Sequence, residues 1–216
     1  HSSLFEYWSL MTSAKFGVER ESLQLHDVVS FPFVAPEHFE ANSRERIDSC
    51  AVGLLARQPD WTELDRTVAE IYRLGHYDQE AIRDTLATRS PFPAIKKFAS
   101  NPVTWHEAEQ FCSRLAEELS SVLAVSGHQV NVRQLAGDNR LPWRFIAICL
   151  GQCTFPEGLP PNWITHADDL AVSRITIVDA HQPLIIVDLL DRHRYWTQTQ
   201  ARLLTSDILW EHGALL

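Results

Sequence analysis

The stretch TWHEAEQFCSRLAEELSSVLAVSG, residues 104–127, followed by HQVNVRQL, residues 128–135, decides the fold class. Thr104 and Glu107 stand at the spacing of a capping box, in which hydroxyl and carboxylate each bond the other residue's backbone N–H. Trp105, Ala108, Phe111, Cys112, Leu115, Leu119, Val122 and Leu123 then recur every three or four residues, the period that lines one face of a helix. Gly127 supplies the stop. Beyond it the period falls to two, with Val130 and Val132 alternating with polar neighbours as a half-buried strand requires.

Toward the C-terminus the strand pattern continues. Residues 144–150 form an unbroken apolar strand, and residues 174–178 and 184–190 read as a hairpin turning at 179–183. Thr197 and Gln200 open a last helix through Leu204, Ile208 and Leu209. Toward the N-terminus the period is helical. Ser2 and Ser3 precede a helix carrying Leu4, Tyr7, Trp8 and Met11, which Gly17 ends. Residues 25–34, with Pro32 inside them, read as an edge or irregular strand. Pro36 opens a helix over 37–57 whose expected buried stripe is Ile47, Ala51, Leu54 and Leu55. Asp60 and Glu63 cap the next helix, with Trp61, Leu64, Val68, Ile71 and Tyr72 on one face and Gly75 as its stop. Asp78 caps a short helix to about Thr88, and residues 90–102, with three prolines, read as a loop. The expected class is α+β, an N-terminal helical part followed by a small antiparallel sheet with a closing helix. The expected divisions are 1–34, the end of an upstream region, 35–126, helical, and 127–216, α+β.

Composition narrows the function classes. Hydrophobic residues make up 45% and charged residues 22%, the balance of a globular chain with a core. The apolar runs at 145–150 and 184–187 are too short to cross a bilayer, and no basic segment precedes the apolar residues 2–16. The reading is a soluble, cytoplasmic protein with no membrane partner. Four cysteines at unrelated spacings read as reduced thiols, and Cys149 with Cys153 lacks the second pair that a closed zinc site needs. The net charge is −9. The acid excess lies before Gly127, with 12 basic against 19 acidic residues, and 7 against 9 after it. Displacing counterions from a nucleic acid needs clustered Lys and Arg, which the chain as a whole lacks.

The search for chemistry returns fragments. His106-Glu107 begins a zinc-protease HExxH, but Gln110 stands where the second ligand belongs. No two glycines fall two apart, and the lysines are Lys15, Lys96 and Lys97, so neither a dinucleotide loop nor a Walker lysine is written here. Asp179, Asp188 and Asp191 border strands, as the carboxylates of a metal-dependent nuclease do, without a lysine near them. No GxSxG marks a nucleophile.

Two stretches carry a family likeness. MTSAKFGVER, residues 11–20, is followed by residues 25–32 ending in Ser30-Phe31-Pro32, and RYWTQTQAR, residues 194–202, runs on to Asp207-Ile208-Leu209. Together they cover about a quarter of the chain. They resemble bacterial N6-adenine DNA methylases of the type I and fused restriction-modification or phage-defence kinds. In those proteins a GVER turn closes the target-recognition domain and leads through a variable strand to DFP and a long helix, and some end in an RYW tail. Residues 159–163, LPPNW, lack the polar residue that precedes the prolines in the family's adenine-gripping Asn-Pro-Pro-Tyr loop, since Leu159 stands there.

The resemblance implies a non-catalytic C-terminal module that supports DNA target recognition or packs on the methylase core. It implies no cofactor in this chain, with S-adenosylmethionine bound by the parent protein upstream. The implied partners are the upstream methylase and target-recognition domains, and DNA. Lys15 and Arg20 are the candidate phosphate contacts, with Arg192 and Arg194 beside His193 as a second basic patch. His1 reads as the cut edge of a longer protein, and the apolar helix after it as a surface for self-association. The alternatives are a protein–protein interaction domain without DNA contact, which the acidic helices fit, and a divergent nuclease using the aspartates near the hairpin.

Overall fold

Ser2 caps the first helix, α1 (Ser3–Thr12), by accepting from the N–H of Phe5. The computed structural model describes residues 2–13, 24–124, 127, 129–135, 142–151, 154–156, 174–179 and 184–213, with 175, 177 and 179 as backbone alone. The chain divides into two compact units, 1–99 and 100–216.

In the first unit, α1 is followed by α2 (Leu25–Val29), a 3-10 turn (Pro36–His38), α3 (Ala41–Leu55), α4 (Trp61–Ile71), α5 (His76–Arg89) and α6 (Pro93–Ser100). Ser3 fastens α1 to α4, donating from its N–H and hydroxyl to the Asp65 carboxylate at 2.7 and 2.5 Å. Phe31 is buried against the edges of Phe5, Trp8 and Phe33, with Tyr72 tilted beside it at 5.7 Å. The Tyr72 hydroxyl donates to the Pro32 carbonyl.

Five expectations are corrected here. Residues 25–29 are helical rather than extended, because Asp27 reaches back to accept from the N–H of Gln24 at 2.8 Å and caps a helical turn. Residues 93–100 are helical rather than loop, since a proline in the first turn costs a helix no hydrogen bond. The stripe of the third helix also faces another way. Ser43 and Cys50 are buried, Ile47 is half-buried, and Leu55 is 86% exposed. Ion pairs choose that face: Arg46 donates to Glu63 and to Glu70 of α4, and Arg66 donates to Glu63. The expected single helix over 37–57 is broken in two at Phe39 and Glu40. Gly75 precedes α5 rather than ending α4, which closes on Arg73 in the left-handed region (φ 53°) with Leu74 N–H bonding the Ala69 carbonyl.

The second unit holds α7 (Trp105–Leu123), β1 (Val130–Gln134), β2 (Trp143–Leu150), β3 (Arg174–Asp179), β4 (Leu184–Leu190), a 3-10 turn (His193–Tyr195) and α8 (Gln198–His212). The α+β class holds. The Thr104–Glu107 capping box is formed in both directions, and Thr197 caps α8 by accepting from Gln200. The four strands are antiparallel throughout, in the order β1-β2-β4-β3, with Val132 opposite Ile148, Ile148 opposite Ile185 and Val178 opposite Ile185. The expected β3–β4 pairing is present.

Both inner strands, β2 and β4, are buried almost throughout, which is why they carry the apolar runs at 145–150 and 184–187. One sheet face sends Ile146, Ile148, Ile185, Val187 and Leu189 against Phe111, Leu115 and Leu119 of α7 and Leu204 and Ile208 of α8. The other gathers Trp143, Phe145, Ala147, Cys149, Leu184 and Ile186. Gly127 (φ 72°) therefore marks where strands begin and not where the compact unit begins, since α7 shares the core of the sheet. Cys50 and Cys112 are free thiols, and burial pushes Cys112 up to about 12. Cys149 is disulfide-bonded, which corrects the expectation of four thiols. Among the described residues no helix is long and apolar enough to cross a membrane.

Candidate functional site

The basic residues after β4 stand on a turn held rigidly by its backbone. Asp191 Oδ1 accepts from the Val103 N–H at 2.9 Å and from Arg144 Nε at 2.7 Å, while Arg144 Nη2 donates to the Val103 carbonyl at 2.5 Å. The His193 N–H bonds the Asn101 carbonyl, and the Asp191 N–H bonds the Pro142 carbonyl. These bonds pin the turn to the segment that leads into α7 and to the start of β2.

Arg192 and Arg194 project from that turn and are exposed, with Arg194 Nη2 donating to Ser100 Oγ at 2.9 Å. Trp196 points the other way, into the core, its ring centroid 5.0 Å from that of Phe111 and its Nε1 donating to the Leu190 carbonyl. Of the four sequence-derived phosphate contacts, Arg192 and Arg194 thus share one surface. Lys15 and Arg20 lie outside the described residues, as does the 159–163 loop.

The aspartates read as a nuclease set have separate surroundings. Asp191 is occupied by Arg144 and Val103. Asp188 is buried on β4, opposite Phe145 on one side and Ile175 on the other. The Asp179 side chain lies outside the described residues. Among the described residues no cluster of three His, Cys, Asp or Glu is arranged to hold a metal ion. His106 is exposed, with its Nε2 3.1 Å from Gln110 Nε2.

Two surfaces escaped the sequence reading. In the first unit Leu25 and Val29, one turn apart on α2, and Phe33, four residues beyond the helix, are 78%, 66% and 67% exposed. In the second unit an open groove of about 1020 Å³ runs between α7 and β1, walled by Glu109, Gln110, Ser113 and Glu117 on one side and by Val132, Arg133 and Gln134 on the other. Neither is written as a motif. The first depends on residues 25–29 being helical, and the second on two elements meeting in space.

Glu107 couples the start of α7 to the turn. Burial raises its pKa, but bonds from the Thr104 hydroxyl and N–H, together with His193 and His106 nearby, outweigh that and hold the carboxyl below its ordinary value. His193 Nδ1 lies 3.5 Å from Glu107 Oε1. A depressed carboxyl pKa stabilises the fold above the unfolded-state pKa, and that contribution is lost as pH falls through the folded value. Glu107→Gln is therefore expected to unfold at lower temperature than the parent at pH 7, with the difference shrinking below about pH 4. Thermal melts at the two pH values check this, and an equal difference at both would remove the carboxylate's charge from the account.

No family model, curated protein or solved structure matches the chain.

Proposed function

We propose that this chain is a non-catalytic, cytoplasmic module of a bacterial DNA adenine methylase in a restriction-modification or phage-defence system, and that it packs on the methylase or its target-recognition domain. The observation that carries the reading is the exposure of three large apolar side chains close together in the chain, Leu25, Val29 and Phe33. Leu25 and Val29 lie in the stretch that resembles the family's junction with the target-recognition domain, and Phe33 follows it directly. Large apolar side chains grouped on a surface mark a contact with another protein surface. The net charge of −9 opposes a DNA contact at long range, which favours the packing role over the reading role. Self-association through α1 is less supported, because Trp8 and Phe5 pack on Phe31 within the unit.

The second reading, an interaction domain with no DNA contact, rests on the same exposed side chains and the same charge. The two part over the partner and over DNA. Calorimetric titration with the separately produced methylase of the same system is expected to show binding that Leu25→Asp with Val29→Asp weakens by about 100-fold, as loss of a buried anchor pair does. Equal affinity of parent and variant would overturn the proposal. DNA duplex is expected to bind the chain alone no tighter than roughly 10⁻⁴–10⁻⁶ M, with steep salt dependence. An unchanged salt slope in Lys15→Ala with Arg20→Ala would leave the interaction-domain reading. Methyl transfer from radiolabelled S-adenosylmethionine to DNA by the chain alone would sink the claim that it is non-catalytic.

A further inference from the structure

Among the described residues β1 is an edge strand, paired with β2 on one side only. Its ladder fixes which backbone groups face outward. Leu135 N–H bonds the Phe145 carbonyl and Gly151 N–H bonds the Gln129 carbonyl, so odd-numbered residues of the strand bond β2. The N–H and C=O groups of Val130, Val132 and Gln134 therefore point away from it. The groove beside α7 lies at this edge. Val132, Arg133 and Gln134 line it in succession, whereas a cavity over one sheet face would meet every second residue. Arg133 carries its guanidinium to the far face, 4.5 Å over the Phe155 ring, so its contribution to the groove is backbone. Gln134 Oε1 is buried without a hydrogen-bond partner.

We propose that the β1 edge and α7 together take an extended, basic peptide segment by strand addition. Outward backbone groups supply the ladder and the helix wall supplies the selection. On that wall Glu109 and Glu117 are two helical turns apart, about 12 Å at the helical rise. Alternate side chains four residues apart in a strand are separated by about 13 Å. A segment with Lys or Arg at its first and fifth positions thus meets both carboxylates, and a small apolar residue at the third lies over Val132. Arg114, the cation on the same wall, is taken up by Glu118 at 3.1 Å and more loosely by Glu117. A second copy of this chain fits poorly, because two-fold pairing of β1 edges about Val132 sets Glu109 of each copy near Glu117 of the other. The acidic wall likewise repels a nucleic acid. The inference concerns the second unit and does not depend on the exposed apolar side chains of the first.

The test uses the acetylated and amidated peptide Thr-Lys-Thr-Val-Thr-Lys-Thr, labelled for fluorescence anisotropy, with the chain as titrant. Saturable binding is expected for it, and none for the analogue with Glu in place of both Lys. Val132→Pro removes one outward N–H, which an edge strand tolerates, and is expected to weaken binding at least tenfold while circular dichroism stays unchanged. Glu109→Lys with Glu117→Lys leaves every backbone group in place and is expected to exchange the preference, so that the Glu peptide binds and the Lys peptide does not. No saturation by the Lys peptide up to about 1 mM, the weak end of specific affinities, would overturn the proposal. So would equal binding of both peptides, an unaltered preference in the charge-reversed variant, or a peptide-free dimer in sedimentation that Val132→Pro abolishes.

Discussion

Trp196→Ala is expected to destabilise the 100–216 unit by about 3–5 kcal/mol, the cost of truncating a large aromatic side chain in a packed core. The indole is 5% exposed and lies against Phe111, itself fully buried at the centre of the α7 stripe. Its Nε1 donates to the Leu190 carbonyl at 2.9 Å, so truncation also leaves a backbone acceptor at the end of β4 unsatisfied. Trp196→Phe keeps most of the apolar volume and loses the donor, and is expected to cost about 1–2 kcal/mol. Because the chain has two compact units, one melting temperature mixes them. Hydrogen exchange at the amides of β2 and β4 reads the affected unit directly. A loss below about 1 kcal/mol in Trp196→Ala, with a selective loss of partner binding, would place Trp196 in a partner contact and not in the core.

The contrast between the two units shows what one-dimensional patterning carries. In the second unit the local signals agree with the packing. The Thr104–Glu107 box is formed, Ala108, Phe111, Cys112, Leu115 and Leu119 are buried as their period requires while Trp105 and Val122 at the ends of the stripe are exposed, and β2, with its unbroken apolar run, is an inner strand. In the first unit the signals conflict. The apolar stripe of α3 loses to ion pairs made by Arg46 with two carboxylates of α4, a preference set by tertiary geometry. The hydrophobic period of 25–34 loses to a single capping carboxylate, Asp27. Of the candidate site, the exposure of Arg192 and Arg194 was legible because they stand in a short turn just before a core tryptophan. The β1–α7 groove was not, because its two walls come from elements that a strand-and-helix reading treats separately. The asymmetry of Asp191 was hidden for the same reason, since its partners Val103 and Arg144 are 88 and 47 positions away.

Asp191→Ala is expected to cost about 2–4 kcal/mol in the same unit, since removing one partner strands the polar groups it served. Asp191 Oδ1 takes two donors from different parts of the chain, the Arg144 guanidinium and the Val103 N–H. Arg144 then bridges back to the Val103 carbonyl, so three groups close a ring that ties β2, the end of β4 and the entry to α7. Both side chains are about four-fifths buried, at 21% and 18% exposure, so water replaces the lost bonds only in part. Asp191→Asn keeps an acceptor oxygen and loses the charge, and is expected to fall between the parent and the alanine variant. Arg144→Leu should cost a similar amount, and the double variant less than the two single losses together, with about 1–3 kcal/mol of coupling. The same series decides the nuclease reading. A carboxylate serving as a metal ligand repels its neighbours in the apo protein, so its removal leaves stability unchanged or raises it, while Mg²⁺-dependent cleavage of DNA is lost. Additive single losses with abolished cleavage would establish Asp191 as a ligand. Strong coupling to Arg144, with DNA left intact by parent and variants alike, establishes it as the clasp that holds the Arg192–Arg194 turn in place.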